Sequence, residues 1–290
     1  MAREAKFIVA AGKRGVGKTY KTLVMVSQVV RGNPKLGVKG RKVLILDTNN
    51  EYGDVQTDHK NTDFVPIKTI DITNLKKWVW NGVAECRRIL PIKTGIESGK
   101  YTTKEMQEIL GLLIKDFRDG MLIVEDPTKF ISDSLPSDLI GGLIALRHVS
   151  TDVVLHFQSK SKIGHPQIWA NTSILRLHKT GDRFSKHIKK FDGYEEPLYI
   201  CESLVDIEYK NNNIRFCANF DKDNDRIFGA FDKSMFVKAI EGYLQDNVSI
   251  VSREAAREDI YTGKKVHKDR VSAIKHLIDH YTKEYYGNKT

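Results

Sequence analysis

The stretch that most constrains this 290-residue chain is Lys6–Leu23, KFIVAAGKRGVGKTYKTL. Lys6–Ala11 is an apolar run of strand length. It leads into Gly12-Lys13-Arg14-Gly15-Val16-Gly17-Lys18-Thr19, which fits G-x-x-x-x-G-K-[ST] at every fixed position. A helical pattern follows. Glycines at 12, 15 and 17 let the backbone curl into a nest whose N–H groups aim at phosphate oxygens, where a β-carbon would clash or strain the turn. Lys18 is then placed to meet the β- and γ-phosphates, and the Thr19 hydroxyl to take one position on Mg²⁺. The helix adds the positive end of its dipole to the same anion. Gly12 through Tyr20 is therefore the expected nucleotide-binding segment, with ATP and Mg²⁺ as the expected ligands. The competing reading, a Gly/Lys-rich turn with no ligand, is disfavoured by the strand before the motif and the helix after it.

A net charge of +10 and a pI of about 9.3 suit an anionic partner such as nucleic acid, although charge alone decides little. With 40% hydrophobic residues, the chain can build one large α/β domain or a domain with a small appendage. Cys86, Cys201 and Cys217 have no metal-ligand spacing and read as reduced thiols in a cytosolic setting. MAREAKF lacks the apolar core of a secretory signal and no run approaches a membrane span, so a cytoplasmic protein with no intrinsic membrane span is expected.

Along the chain, the spacing predicts an apolar helix after the loop, stopped at Gly32-Asn33-Pro34. Arg31 to Lys42 then hold five basic residues and no acidic one, which reads as a solvated connection or a DNA-facing loop. KVLIL at 42–46 is a second strand ending in Asp47; in doubly wound sheets such an acid, and Glu51 beyond it, lies near the nucleotide or its metal, unless it caps a turn. A short strand at FVPI, a helix near Asn74–Arg88 and a helix from Thr103, with a Thr102/Glu105 capping box, are expected next. Trp78 and Trp80 read as core and partial surface.

Met121–Val124 is a third strand followed by Glu125-Asp126, paired acids of the kind that hold a magnesium's water shell and polarise a lytic water. A helix from Pro136 to about His148 leads to the strand DVVLHF, with Gln158 at its end as a γ-phosphate sensor or water holder. Lys160 to Lys190 contain eight Lys or Arg and one acid, a candidate nucleic-acid patch. Ser173–His178 reads as a fifth strand. Leu198–Phe231 reads as a hairpin around Asn211-Asn212-Asn213. Helices are expected at 233–245 and 266–285.

In their order, GKRGVGKT, LDTNNEY, IVED, HFQSKSKI and NTSILRLHKTGD resemble the motifs of the HerA–FtsK group of P-loop ATPases. IFGAFDKSMFVKAIEGYL is similar to the short strand and final helix of some members. The resemblance implies an α/β P-loop NTPase domain (RecA-like) over residues 1–245, with a mostly parallel central sheet flanked by helices, a small C-terminal hairpin and helical extension, and a helical tail over 246–290. It implies a ring-forming motor that moves DNA, expected to be double-stranded, with a portal or membrane docking protein as a further partner. By position Glu125 takes the magnesium role beside Thr19, and Asp126 the catalytic role. The group usually has Asp before Glu here, so the swapped order points to slow hydrolysis or exchanged roles. Arg147, Arg183 and Arg14 are candidates for the arginine that serves a neighbouring subunit's nucleotide. Competing readings are a zonula occludens toxin-like assembly or secretion ATPase, a nucleotide kinase, and an ATP-binding structural protein with decayed hydrolysis.

Overall fold

The computed structural model describes residues 4–53, 64–93, 99–129, 137–191 and 193–287. Its strands are β1 (Phe7–Ala11), β2 (Lys42–Leu46), β3 (Ile67–Thr69), β4 (Cys86–Ile89), β5 (Ile92–Lys93), β6 (Gly99–Lys100), β7 (Gly120–Glu125), β8 (Asp152–Phe157), β9 (Ile174–Leu177), β10 (Ala218–Asp221) and β11 (Arg226–Gly229). Nine of them form one sheet in the order β11-β10-β9-β1-β8-β7-β2-β4-β3, and β5 pairs with β6 separately. From β3 across to β9 the pairing is parallel; β10 and β11 extend that edge antiparallel.

Every residue of β1, β2, β7 and β8 is buried, as expected of parallel strands covered on both faces. Side-chain alternation divides them between two cores. Phe7, Val9, Leu44, Leu46, Leu122 and Leu155 belong to one, while Ile8, Val43, Ile45, Ile123 and Val154 belong to the other. Helix α1 (Lys18–Arg31) packs on the second core through Leu23 and Val26. The first core receives α2 (Leu75–Val79), α3 (Thr103–Asp116), α4 (Ser137–Ala145), α5 (Lys160–Ile163), α6 (Pro166–Asn171), α7 (Glu195–Lys210), α8 (Lys233–Asp246), α9 (Val248–Ala255) and α10 (Arg270–Tyr285). Val251, Leu277 and Tyr281 of the last two helices join the same core as the sheet.

The strand order determines what can meet. β8 lies between β1 and β7, with Ala11 opposite Phe157 and Glu125 opposite His156. The carboxyl ends of these three strands therefore carry the glycine loop, Gln158 and the acids side by side, at the edge where parallel α/β sheets bind ligands.

Several expectations are corrected. Leu198–Lys210 is helical, within α7, and not the first arm of a hairpin. Its apparent alternation also fits the helical period: Leu198, Cys201, Leu204, Val205 and Glu208 are buried, with Glu195 and Glu196 in the first turn and Lys210 in the last. The hairpin is β10–β11, and its turn contains Asp225 at φ 48°. The helix expected near Asn74–Arg88 ends at Val79, because Gly82 (φ 72°) breaks it and Cys86–Ile89 pairs with β2. The strand expected at FVPI begins only at Ile67, one residue after a proline that cannot donate to a ladder. The α3 capping box is present as expected. Pro136 lies outside the described residues. Trp78 is buried and Trp80 is exposed. The three cysteines are buried free thiols. Among the described residues no helix is long and apolar enough to cross a membrane.

Candidate functional site

The glycine loop is seated on the two strands that flank β1. Gly12 N–H donates to Phe157 O at 3.1 Å, Lys13 N–H to Lys179 O at 2.8 Å, and His178 N–H to Ala11 O at 2.8 Å. Gly15 and Gly17 both sit at φ 79°, a left-handed conformation that glycine adopts without strain. A β-carbon on Gly12 would come within 2.7 Å of His178 Cβ. Gly17 is the N-cap of α1, so the free N–H groups of the first helical turn open onto the loop. Lys18 Nζ bends back over the loop and donates to Gly12 O and, at 3.0 Å, to Lys13 O. Burial lowers the pKa of its ammonium, against the opposing pull of Glu125, Glu51 and Asp126.

The adjacent acids diverge. Glu125 ends β7 on the face that α1 covers and is 3% exposed. The Tyr52 hydroxyl donates to its Oε1, and His156 Nδ1 lies 2.6 Å from the same oxygen. His156 Nε2 in turn meets Thr22 Oγ1 of α1 at 3.2 Å. Burial pushes the Glu125 carboxyl up, but His156, Tyr52 and Lys18 outweigh it and hold the group below its ordinary range. Burial beside that carboxylate pushes the Tyr52 phenol well up. Asp126 lies outside the strand at φ 42°, and its carboxylate accepts from Thr128 Oγ1 at 2.5 Å and from Gln158 Nε2 at 2.9 Å.

Thr19 Oγ1 donates to Glu51 Oε2 at 2.8 Å. A cavity of about 480 Å³ is lined by Arg14, Gly15, Gly17, Lys18, Thr19, Tyr20, Asn49, Glu51, Gln158, Ile214 and Arg215. Its oxygen donors, a hydroxyl and a carboxylate beside a lysine, are of the kind that hold Mg²⁺ with a phosphate chain. Glu51 thus faces the loop. Asp47 does not: it is fully buried, accepts from Glu51 N–H (2.9 Å) and Tyr52 N–H (3.1 Å), and pairs with Arg88 at 3.0 Å. It caps the turn that presents Glu51.

Arg147 lies before β8, at the amino-terminal ends of the strands and so opposite the glycine loop, bonding Asn171 O at 3.4 Å and standing 4.0 Å from Glu4. Within this chain it does not join the cavity. Arg183 is exposed after β9, 4.0 Å from Asp206. The basic block is split: Lys160 is buried against Glu202, Arg176 is a strand residue beside Met25, and Lys179 pairs with Asp206 at 2.5 Å. Lys162, Lys186, Lys189 and Lys190 remain exposed.

Three site residues have little or no signature in the sequence. His156 is detectable only as a polar residue inside an apolar strand. Arg215, whose guanidinium sits 4.8 Å from the Tyr20 ring centroid and whose Cγ would meet a β-carbon on Gly17 at 2.9 Å, comes from a loop 195 residues beyond Tyr20. Tyr209, at the end of α7, accepts from Lys13 Nζ at 2.9 Å.

A mostly parallel sheet whose strand β1 runs through a glycine loop into a helix, with acids and a glutamine ending the next two strands, is the P-loop NTPase fold. No protein-family model matches the sequence, and no curated protein is significantly similar to it. Among solved structures the chain is similar to the genome packaging NTPase B204 from Sulfolobus turreted icosahedral virus 2 in complex with ATP-gammaS, at 11% identity over 77% of this chain and 95% of that one, TM-score 0.47. It is also similar to the N-terminal domain of zonular occludens toxin from Neisseria meningitidis, at 14% identity over 62% and 79%, TM-score 0.31. A third is the pCW3 conjugation coupling protein TcpA in its monomer form with ATPgS, at 9% identity over 64% and 52%, TM-score 0.36.

Proposed function

We propose that the chain is an ATP-hydrolysing motor that moves double-stranded DNA as a homo-oligomeric ring, of the viral or mobile-element packaging or transfer type. The observation that carries the ATPase reading is the convergence of Lys18, Thr19, Glu51 and Gln158 on one cavity beneath the glycine loop, with Asp126 bonded to Gln158. In this reading the loop N–H groups and Lys18 bind the phosphates, and Thr19 holds Mg²⁺ with Glu51 and Glu125 as the flanking carboxylates. The metal supplies charge neutralisation on the β- and γ-phosphates. Asp126 takes the proton of the attacking water, and Gln158, held on Asp126, positions that water against the γ-phosphate. Arg147, Arg14 and Arg183 are the groups available to a neighbouring subunit's site.

The DNA part of the proposal rests on the order of the sequence motifs, the net charge of +10 and the exposed lysines between Lys162 and Lys190. A second reading, an ATP-binding protein with slow turnover, is favoured by one observation: Glu125 is buried and engaged by both Tyr52 and His156.

The test is ATP hydrolysis by the purified chain with and without linear double-stranded DNA, beside a Lys18→Ala control. Stimulation by DNA that vanishes in the control is expected. Turnover indifferent to DNA would favour an assembly or secretion ATPase, and binding without turnover the structural reading.

A further inference from the structure

Glu254 on α9, His267 in the turn before α10 and His276 on α10 bring three potential ligand atoms within 4.8 Å of one another. His267 Nε2 lies 2.6 Å and His276 Nε2 3.6 Å from the same oxygen, Glu254 Oε1. The two rings have centroids 5.0 Å apart. The side chains of Glu254 and His267 are 14% and 8% exposed, whereas His276 is 46% exposed, so the cluster is built on a buried floor with one open side. His280, one helical turn beyond His276, stacks nearly parallel to it with ring centroids 6.5 Å apart.

We propose that Glu254, His267 and His276 form a binding site for a transition-metal ion of the Zn²⁺ class. Two imidazoles and a carboxylate with an open fourth position form a donor set suited to zinc, and imidazole ligation disfavours Mg²⁺ and Ca²⁺. A tetrahedral ion with bonds of about 2 Å spaces its ligand atoms about 3.3 Å apart, so side-chain rotation must open the 2.6 Å His267–Glu254 contact and draw His276 slightly inward to admit it. The competing arrangement is a plain ion-pair cluster, because Arg257 Nη1 lies 3.3 Å from Glu254 Oε1. That arginine is 48% exposed and can swing into solvent when a cation takes its place.

The site would also have a mechanical effect. His267 closes a small hairpin whose arms are joined by the Glu258–Lys265 bridge and by Val266 N–H donating to Arg257 O at 3.0 Å. Its tip presents Ile260 and Tyr261, 94% and 95% exposed. A bound ion would tie this hairpin to α9 and α10 at once. None of these residues belongs to the nucleotide cavity.

The experiment is Zn²⁺ titration of the full, tag-free chain by competition with a chromogenic chelator, in excess Mg²⁺ and without nucleotide, alongside thermal unfolding. One Zn²⁺ per chain is expected, with a higher unfolding midpoint on binding. His276→Ala, at an exposed position, weakens binding at least about tenfold and abolishes the stabilisation, Glu254→Gln does the same, and His148→Ala on another surface changes neither. A wild-type chain that binds no Zn²⁺, or a His276→Ala chain that binds it as tightly as wild type, overturns the proposal.

Discussion

His156 Nδ1 lies 2.6 Å from Glu125 Oε1, and the far side of the same ring meets Thr22 Oγ1 at 3.2 Å, so the acid ending β7 is tied through β8 to the helix that follows the glycine loop. Both side chains are nearly inaccessible, at 1% and 4%. Removing the imidazole leaves a buried carboxylate short of its main partner. His156→Ala should therefore lower stability by about 3 kcal/mol, measured by urea unfolding. Combining it with Glu125→Gln should cost less than the sum of the two single changes, because the second removes the charge that the first orphans.

Asp47 and Thr19 separate structure from chemistry. Asp47→Ala strips a fully buried carboxylate from two backbone N–H groups and from Arg88, and should destabilise the chain by about 3 kcal/mol in the same assay. Thr19→Ala alters a partly exposed hydroxyl and should stay within about 0.5 kcal/mol of wild type while ATP turnover falls sharply. Equal turnover in Thr19→Ala and wild type would overturn the metal-binding role proposed for Thr19.

Stability should fall on mild acidification because of His178. Burial pulls its imidazole down from 6.5 to about 3, helped by the neighbouring Arg176, His156 and Lys18. Above the unfolded value neither state is protonated and the group contributes nothing. As pH drops below it, the unfolded chain takes up a proton that the native one refuses, so stability declines until the folded value is reached. The slope approaches about 1.4 kcal/mol per pH unit, or about 2 kcal/mol lost between about pH 7.5 and about pH 5. Denaturation midpoints across that interval should flatten in His178→Leu. Glu125, whose carboxyl is held low, loses its stabilising contribution only as pH falls further, through its folded value.

Arg215 lines the loop cavity and stacks on Tyr20 at its mouth. Arg215→Ala should weaken binding of a fluorescent ATP analogue about tenfold, about 1.4 kcal/mol, with unfolding changed by no more than about 0.5 kcal/mol. Unchanged affinity would confine Arg215 to packing against Gly17.

The legible parts of the fold were those with one local cause. FIVAA, KVLIL and DVVLHF form strands because a continuous apolar run of that length is buried on both faces, and Thr102 with Glu105 starts α3 because the cap is complete within four residues. Leu198–Lys210 misled because a short stretch of mixed polarity satisfies both a period of two and a period of 3.6, and only packing of Leu198, Cys201 and Leu204 into the core selects the helix. Cys86–Arg88 reads as the end of a helix because its pairing partner, β2, lies forty residues away.

The same division runs through the site. Gly15 to Thr19 carry their part of the loop by themselves: two glycines at left-handed φ, then a lysine and a hydroxyl at the helix start, are local backbone chemistry, whereas Gly12 is required by the approach of His178. The apolar run MLIV likewise placed Glu125 and Asp126 together at the end of a buried strand. What only the tertiary structure decided is where each acid lies and what it is bonded to. Asp47 became a buried cap because Arg88 arrives beside it on β4, Glu51 was left facing Thr19, and Glu125 was drawn inward because β8 brings His156 alongside. A carboxylate's role follows from its solvation and its partners, and those are set by which strands become neighbours.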